Sequence, residues 1–304
     1  MKRVLVTGAR GFIGRQCLAP LLDRGFEIIA TMSPGATVPA DLAALPVTWR
    51  SIDLLGPGEI EALMMDIRPS HVLHMAWETK HGAYWSSPKN LDWLALGARF
   101  VRAFTECGGQ RFVSAGTCAE YDWSHGFMVE DVTPEHPATF YGRIKLAHHR
   151  MLMASAGQFG FSAATGRIFF GYGPHEDRAR VIAHACAQLA EGKPAEFGSG
   201  NLWRDFMHVD DIGRGFAALL DSDISGACHV SSGQPALLAD LVRLVGEIAG
   251  RPDLIRLGAR PDRPDDPPML VGSSEKLRAS GWEPRQSRNV GLAACYEWWR
   301  KRIP

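Results

Sequence analysis

Tyr141-Gly142-Arg143-Ile144-Lys145 sets a phenol and an ammonium four residues apart. On a helix that spacing places both on one face. An ammonium beside a phenol favours phenolate and lowers its pKa. Free tyrosine titrates near ~10, so proton transfer near pH 7 asks for a shift of about three units, roughly 4 kcal/mol of differential stabilisation. Such a pair moves a proton to or from a substrate oxygen. Tyr/Lys pairs also stand half-exposed on ordinary helices, so a third group is needed. Thr117 supplies one, just beyond the strand-like run 111–115. That is the carboxyl end, where α/β sheets place ligands. Its hydroxyl would bridge a substrate carbonyl or hydroxyl to Tyr141; its ordinary role would be to cap a turn.

A second chemical stretch lies at the start. Thr7-Gly8-Ala9-Arg10-Gly11-Phe12-Ile13-Gly14 follows the apolar run Arg3-Val4-Leu5-Val6 and precedes a helical pattern over 15–24. Strand, glycine turn and helix place free backbone N–H groups and the helix dipole against a diphosphate. Gly8 makes the turn, Gly11 admits the diphosphate to the backbone, and Gly14 lets helix and strand pack. The spacing is Gly-x-x-Gly-x-x-Gly, and the chain has 32 glycines. The place of these three, at the first strand–helix crossing, is what marks a dinucleotide site. A cationic nicotinamide near Tyr141 would share the phenol's shift. The second strand ends Ala30-Thr31-Met32-Ser33, with no acid to repel a ribose 2′-phosphate. Arg10 and Ser33 would bind that phosphate, which gives NADP(H) a slight preference over NAD(H). Arg10 in solvent, with either cofactor accepted, is the competing arrangement.

These groups need a scaffold, and the pattern offers one. Strand-like runs at 26–31, 46–53, 71–76, 111–115 and 162–170 alternate with helical runs at 59–66, 90–107 and 141–156. That alternation predicts a Rossmann-type, doubly wound parallel sheet with helices on both faces. After Gly171-Tyr172-Gly173-Pro174 the pattern loosens. Helices are expected at 178–191, 210–220, 237–248 and 291–300, with a strand at 228–230. The expected division is a dinucleotide-binding domain of residues 1–170, with a returning segment at about 205–235. A smaller substrate domain takes 171–204 and 236–304.

Composition narrows the function classes. Of 304 residues, 46% are apolar, enough for a substantial core. Lys+Arg and Asp+Glu both number 33, and this zero net charge argues against a nucleic-acid footprint or an anionic membrane surface. Cysteines at 17, 107, 118, 186, 228 and 295 show no Cys-x-x-Cys spacing and no zinc-like cluster. They read as reduced thiols of a cytoplasmic protein. The basic start is followed by an apolar run that stops at Thr7-Gly8, too short for a signal-peptide core. No run approaches the roughly 18 apolar residues of a transmembrane helix.

Taken in order, these motifs resemble the extended short-chain dehydrogenase/reductases, in their nucleotide-sugar epimerase/dehydratase branch. The resemblance covers nearly the whole chain. It rests on the glycine turn, Thr117 before Tyr121, Tyr141-x-x-x-Lys145, His74-Met75-Ala76, Asn90, Arg167 with Tyr172-Gly173-Pro174, Arg204-Asp205-Phe206-Met207-His208-Val209-Asp210-Asp211, Arg263-Pro264-Asp265-Asp266 and Gly281-Trp282-Glu283-Pro284. It implies that Thr117, Tyr141 and Lys145 are catalytic. It implies cofactor contacts from Gly8, Arg10, Gly11, Phe12, Ile13, Gly14, Met32, Ser33, Asp53, Leu54, Met75, Ala76 and Trp77, besides Tyr141 and Lys145. Asp53 would meet the adenine. Substrate contacts are expected from Trp77, Tyr84, Cys118, Glu120, Arg204 and Arg263, the two arginines on a nucleotide diphosphate. A homodimer through the helices at 90–107 and 141–156 is implied as well; no metal is.

Departures from the family pattern steer the activity. The branch's dehydratases carry Asp-Glu directly after the active-site Thr; here Cys118 and Ala119 stand there. Neither does a carboxylate's acid–base work, so 4,6-dehydration is not expected. Phe169-Phe170-Gly171 replaces the usual Asn before Tyr-Gly-Pro, and Trp77-Glu78 and Tyr84-Trp85 replace small residues. The missing Asn removes one substrate contact that the resemblance would imply, and the residues at 77–78 and 84–85 would shape a sugar pocket or cover the cofactor. The resemblance therefore implies reduction of a keto group, most simply at C4, on a nucleotide-linked (deoxy)sugar. The alternative is a 4-epimerase that recycles its NAD(P). A non-catalytic cofactor sensor or scaffold would have lost Thr117, Tyr141 or Lys145, and all three are present.

Overall fold

The computed structural model describes residues 2–303. Strands β1 (Arg3–Thr7), β2 (Glu27–Met32), β3 (Val47–Ser51), β4 (His71–His74), β5 (Arg111–Thr117), β6 (Ser162–Ile168) and β7 (Gly226–Val230) form one seven-stranded sheet in the order β7-β6-β5-β4-β1-β2-β3. Every pairing is parallel. Parallel strands covered on both faces need apolar residues pointing both ways. β1 shows this: Val4 and Val6 enter one hydrophobic cluster and Leu5 the other. Helices α1 (Gly14–Asp23) and α6 (Val209–Leu220) pack on the first face. Helices α2 (Glu59–Ile67), α3 (Lys89–Glu106) and α4 (Phe140–Phe159) pack on the second. The strand order reverses between β1 and β4, which opens a crevice at their carboxyl ends.

The later residues gather a third core from α5 (Val181–Ala190), α7 (Leu238–Ile248) and α8 (Arg288–Arg300). A small four-stranded sheet joins Ala236–Leu237, Trp203–Arg204, Met269–Gly272 and Phe127–Met128. Its last strand comes from the first 170 residues, a crossing too short for periodicity to reveal. The run 162–170, expected as one strand, breaks at Phe169. That side chain turns inward against the His229 ring, with centroids 5.1 Å apart, and Phe170–Tyr172 pairs instead with Phe206–His208. The helix expected from 178 begins at Val181, because the Asp177 carboxylate accepts the Ala179 N–H and holds a turn there. Among the described residues, no helix is long and apolar enough to cross a membrane.

Arg111 locks β5 to the end of α6. Its buried guanidinium donates to the carbonyls of Leu219, Leu220 and Ile224 at 2.6, 2.8 and 2.9 Å and to the Ser162 hydroxyl at 2.5 Å. It thereby satisfies the unpaired carbonyls of a helix C-terminus. Arg111→Met leaves those carbonyls without a donor and is expected to cost roughly 3 kcal/mol. Urea unfolding is the check; a loss below about 1 kcal/mol would show that water replaces the guanidinium freely.

Candidate active site

β1 ends in the glycine turn. Gly8 has φ +68°, and a Cβ there would lie 2.7 Å from the Ala76 nitrogen; one on Gly14 would lie 2.2 Å from the Gly8 carbonyl oxygen. The Gly11 N–H closes the turn on that carbonyl at 2.9 Å. No side chain caps the start of α1. The Arg15 and Gln16 N–H groups bond the Gly11 and Ile13 carbonyls at 3.2 and 3.0 Å, and the start of α1 carries the positive end of the helix dipole. The Thr7 hydroxyl accepts the Ala76 N–H at 3.3 Å and meets His74 Nδ1 at 2.7 Å, which ties the ends of β1 and β4 together with Met75 and Ala76 at the edge. This cradle fits a dinucleotide's diphosphate.

Arg10 Nε is buried without a partner among the described residues, whereas nearby Arg15 binds both oxygens of Asp41 at 2.9 and 2.8 Å. Phe12 and Ile13 are partly buried in the same turn. Met32 closes β2 opposite Ser51, with Ser33 next to it. Asp53 is exposed just past β3 and accepts the Leu55 N–H at 3.1 Å; the neighbouring Leu54 carbonyl accepts from Arg99.

Thr117 is the last residue of β5, two positions beyond the expected end of that strand. Its hydroxyl accepts the Ala119 N–H at 3.2 Å and caps the single turn Cys118–Glu120. The Thr139 hydroxyl accepts the Gly142 N–H at 3.0 Å and starts α4. A Cβ on Gly142 would stand 2.1 Å from the Ala119 carbonyl oxygen. Only glycine lets the first turn of α4 seat on the Thr117 turn, and that contact brings Tyr141 to Thr117. The Tyr141 ring packs edge-on against Tyr84 and Trp85, at 4.9 and 5.7 Å between centroids.

Burial dominates the electrostatics of the pair. Burial pushes the Tyr141 phenol well above its usual value, Tyr84 and Glu120 add to the rise, and a hydrogen bond with Thr117 opposes it. The Lys145 ammonium donates to the Ala115 carbonyl and lies 3.9 Å from the centre of the Trp77 ring. Desolvation lowers it to about 8, and Glu120 pulls the other way.

The expected substrate residues separate into groups. Tyr84 and Cys118 are buried beside the trio; desolvation pushes the Cys118 thiol up to about 12, so it is neutral. Trp77 lies under Lys145, stacked on Trp93, and donates to Asn90 at 2.8 Å. Asn90 also donates to the carbonyls of Tyr84 and Ser87 and so holds the whole 77–90 loop. Glu120 is fully buried with both carboxylate oxygens engaged: it accepts the Thr117 N–H at 2.9 Å and pairs with Arg167 at 2.8 Å. A direct substrate contact from Glu120 is therefore corrected to a contact behind the site. Arg204 is buried and pairs with Asp266 at 2.6 Å, while Arg263 is exposed. Arg180, which pattern reading passed over, stands at the start of α5 with its guanidinium 5.6 Å from the centre of the Tyr84 ring. The helix expected from 178 had placed it inside that element, so its position at a helix start carried no sequence signal.

A parallel sheet with this strand order, a diphosphate cradle at the reversal of strand order and a Thr/Tyr/Lys trio at the carboxyl edge define a dinucleotide-dependent α/β enzyme. The model of the NAD dependent epimerase/dehydratase family matches residues 4–230, and the chain belongs to that family, an NAD(P)-dependent enzyme of the extended short-chain dehydrogenase/reductase type. It is 24% identical to GDP-L-fucose synthase 1 of Arabidopsis thaliana, over 99% of this chain and 94% of that one. It is 26% identical to UDP-glucose 4-epimerase of Corynebacterium glutamicum, over 94% and 92%. Its fold is similar to the crystal structure of the Thermus thermophilus UDP-glucose 4-epimerase in complex with NAD, with a TM-score of 0.86, 26% identity, and 98% and 99% of the two chains covered.

The lowered Lys145 pKa has a stability consequence. Its folded value of about 8 lies below the ordinary 10.5, so folding at pH 7 must bury a charged ammonium. Between those values the folded state holds fewer protons than the unfolded chain, and stability from this group rises with pH. Relative to Lys145→Met, the cofactor-free wild type is expected to gain up to roughly 3 kcal/mol from pH 8 to 10.5. Urea midpoints of both proteins across that range test this, and parallel curves would reject it.

Proposed function

We propose that the enzyme reduces a keto group, at C4, on a nucleotide-diphosphate-linked sugar with NADPH. The observation that carries this reading is that the turn beside the Thr117–Tyr141 pair offers no carboxylate free of other partners. Cys118 is a neutral buried thiol, Ala119 has no acid–base group, and Glu120 is engaged by Arg167 behind the strand. Water elimination from the sugar needs an acid and a base that this turn lacks, while a carbonyl needs only a proton donor and a hydrogen-bonding partner. GDP-L-fucose synthase, a reductase, is among the relatives.

When bound, the nicotinamide supplies the hydride. Thr117 holds the carbonyl oxygen, and Tyr141 donates its proton to that oxygen as charge develops on it. The raised phenol pKa keeps Tyr141 protonated and ready for this direction of transfer. The Lys145 ammonium stabilises the phenolate that results. Arg263 and Arg180, without carboxylate partners within 4 Å among the described residues, bind the diphosphate; Arg204 joins them if Asp266 releases it. The sugar then lies between the main sheet and the third core, consistent with a substrate domain formed by 171–204 and 236–304. Pairing of two copies through α3 and α4 belongs to the same reading, with Leu91 and Phe140 exposed on those helices.

The second reading is a 4-epimerase, which uses the same trio and returns the hydride to the other face of the sugar. The resemblance to UDP-glucose 4-epimerases favours it. With UDP-4-keto-6-deoxyglucose as probe, reduction predicts one NADPH oxidised per product formed; with UDP-glucose, isomer formation without net cofactor change would establish the epimerase instead. Tyr141→Phe is expected to lose at least a hundredfold in kcat while its cofactor Kd stays within about twofold, because the hydroxyl gives the proton and the ring keeps the packing. Near-normal turnover would reject the assignment.

The NADPH preference rests on the unpartnered Arg10 Nε and on Met32 standing where an acid would repel a 2′-phosphate. A charge-assisted contact is worth roughly 1.5–3 kcal/mol, about ten- to a hundredfold in affinity. Arg10→Ala should remove that margin for NADPH and leave NADH binding unchanged. Equal wild-type Kd values for the two cofactors, measured by fluorescence titration, would refute the preference.

A further inference from the structure

We propose that Arg167 and Glu120 form a buried clamp that sets the distance between Thr117 and Tyr141, which makes Glu120 a positioning residue that never meets substrate. The idea rests on the roles proposed above for Thr117 and Tyr141.

One guanidinium holds both arms of the site. Arg167 on β6 is 1% exposed. Its Nε donates to Glu120 Oε2 at 2.8 Å, and the other oxygen of that carboxylate accepts the Thr117 backbone N–H at 2.9 Å. Its Nη2 pairs with Glu135, in the 134–139 segment that leads into α4 and delivers Tyr141. Arg150, further along α4, reaches Glu135 from the other side at 3.3 Å. The Tyr121 ring, 4.3 Å away, covers the guanidinium, and the Asp122 N–H bonds the Pro134 carbonyl at 2.9 Å, so the two segments are also joined directly. The clamp thus runs from the Thr117 amide through Glu120, Arg167 and Glu135 to the start of α4.

Stability alone does not explain such a device. A buried ion pair gains little over well-packed apolar residues of the same volume, because desolvation offsets the attraction. It does demand one geometry: a forked donor with fixed angles accepts its carboxylates only in one arrangement. The reacting oxygen needs that kind of definition, since Thr117 and Tyr141 must both reach it within hydrogen-bond distance.

Glu120→Gln keeps the volume and the acceptor for the Thr117 N–H but removes the charge that Arg167 holds. With UDP-4-keto-6-deoxyglucose and NADPH, it is expected to lower kcat ten- to a hundredfold, with KM and the NADPH Kd within twofold. Hydrogen exchange without cofactor should quicken more than tenfold at the Thr117 amide. Thr117→Ala should lower kcat at least a hundredfold, and Glu120→Gln added to it should cost less than threefold more, because nothing remains to be positioned. An additive loss in both backgrounds, or wild-type kcat and exchange in Glu120→Gln, overturns the clamp. Full activity of Thr117→Ala overturns the trio reading and the clamp with it. Should Glu120→Gln misfold, Glu135→Gln on the partly exposed arm carries the test: a kcat loss above threefold at constant KM supports the clamp, and an unchanged kcat overturns it.

Discussion

Seven parallel strands pointing one way force every strand-to-helix connection of the main sheet onto the same edge. The rest of the molecule depends on this constraint. Gly8 follows β1, Met32 closes β2, Asp53 lies past β3, Ala76 lies past β4 and Thr117 closes β5, so residues more than a hundred positions apart line one crevice. The crevice opens where the strand order reverses, between β1 and β4, and the glycine turn and the His74–Thr7 bond sit at that point. Arg111 anchors the opposite end of β5, so the strand that carries Thr117 is fixed at both ends.

The site is held under electrostatic tension. Burial raises the Tyr141 phenol and lowers the Lys145 ammonium, so each group is pressed toward its neutral form. Desolvation is the largest cause of both shifts, and the aromatic loop at 77–90 adds to the burial by putting Trp77 under the lysine and Tyr84 and Trp85 against the tyrosine. Asn90 fastens that loop.

The comparisons narrow the chemistry to the family's and leave its members to be told apart by local residues. At 24–26% identity, a fucose synthase and an epimerase are equally similar to this chain. The turn after β5 presents a thiol and a methyl group, and its carboxylate is held by Arg167.

Much of the architecture was legible in the residues themselves. The continuous apolar run of β1 and the spacing of apolar residues in α2 and α3 dictate elements whose interactions are local, and the glycine turn declares its conformation because no other residue fits it. Tyr141 and Lys145 were legible for the same reason: one helical turn relates them. What stayed hidden depends on partners far along the chain. Glu120 reads as a substrate ligand until Arg167, 47 residues on, claims its carboxylate. Arg204 reads as a ligand for the substrate diphosphate, and the structure shows it buried and paired with Asp266. The break at Phe169 and the strand at 127–128 follow from packing against His229 and pairing with 269–272, which no local pattern encodes. Sequence determines the backbone's local preference and the chemical groups available; the tertiary structure decides which charge meets which, because burial and pairing are properties of neighbours that only folding brings together.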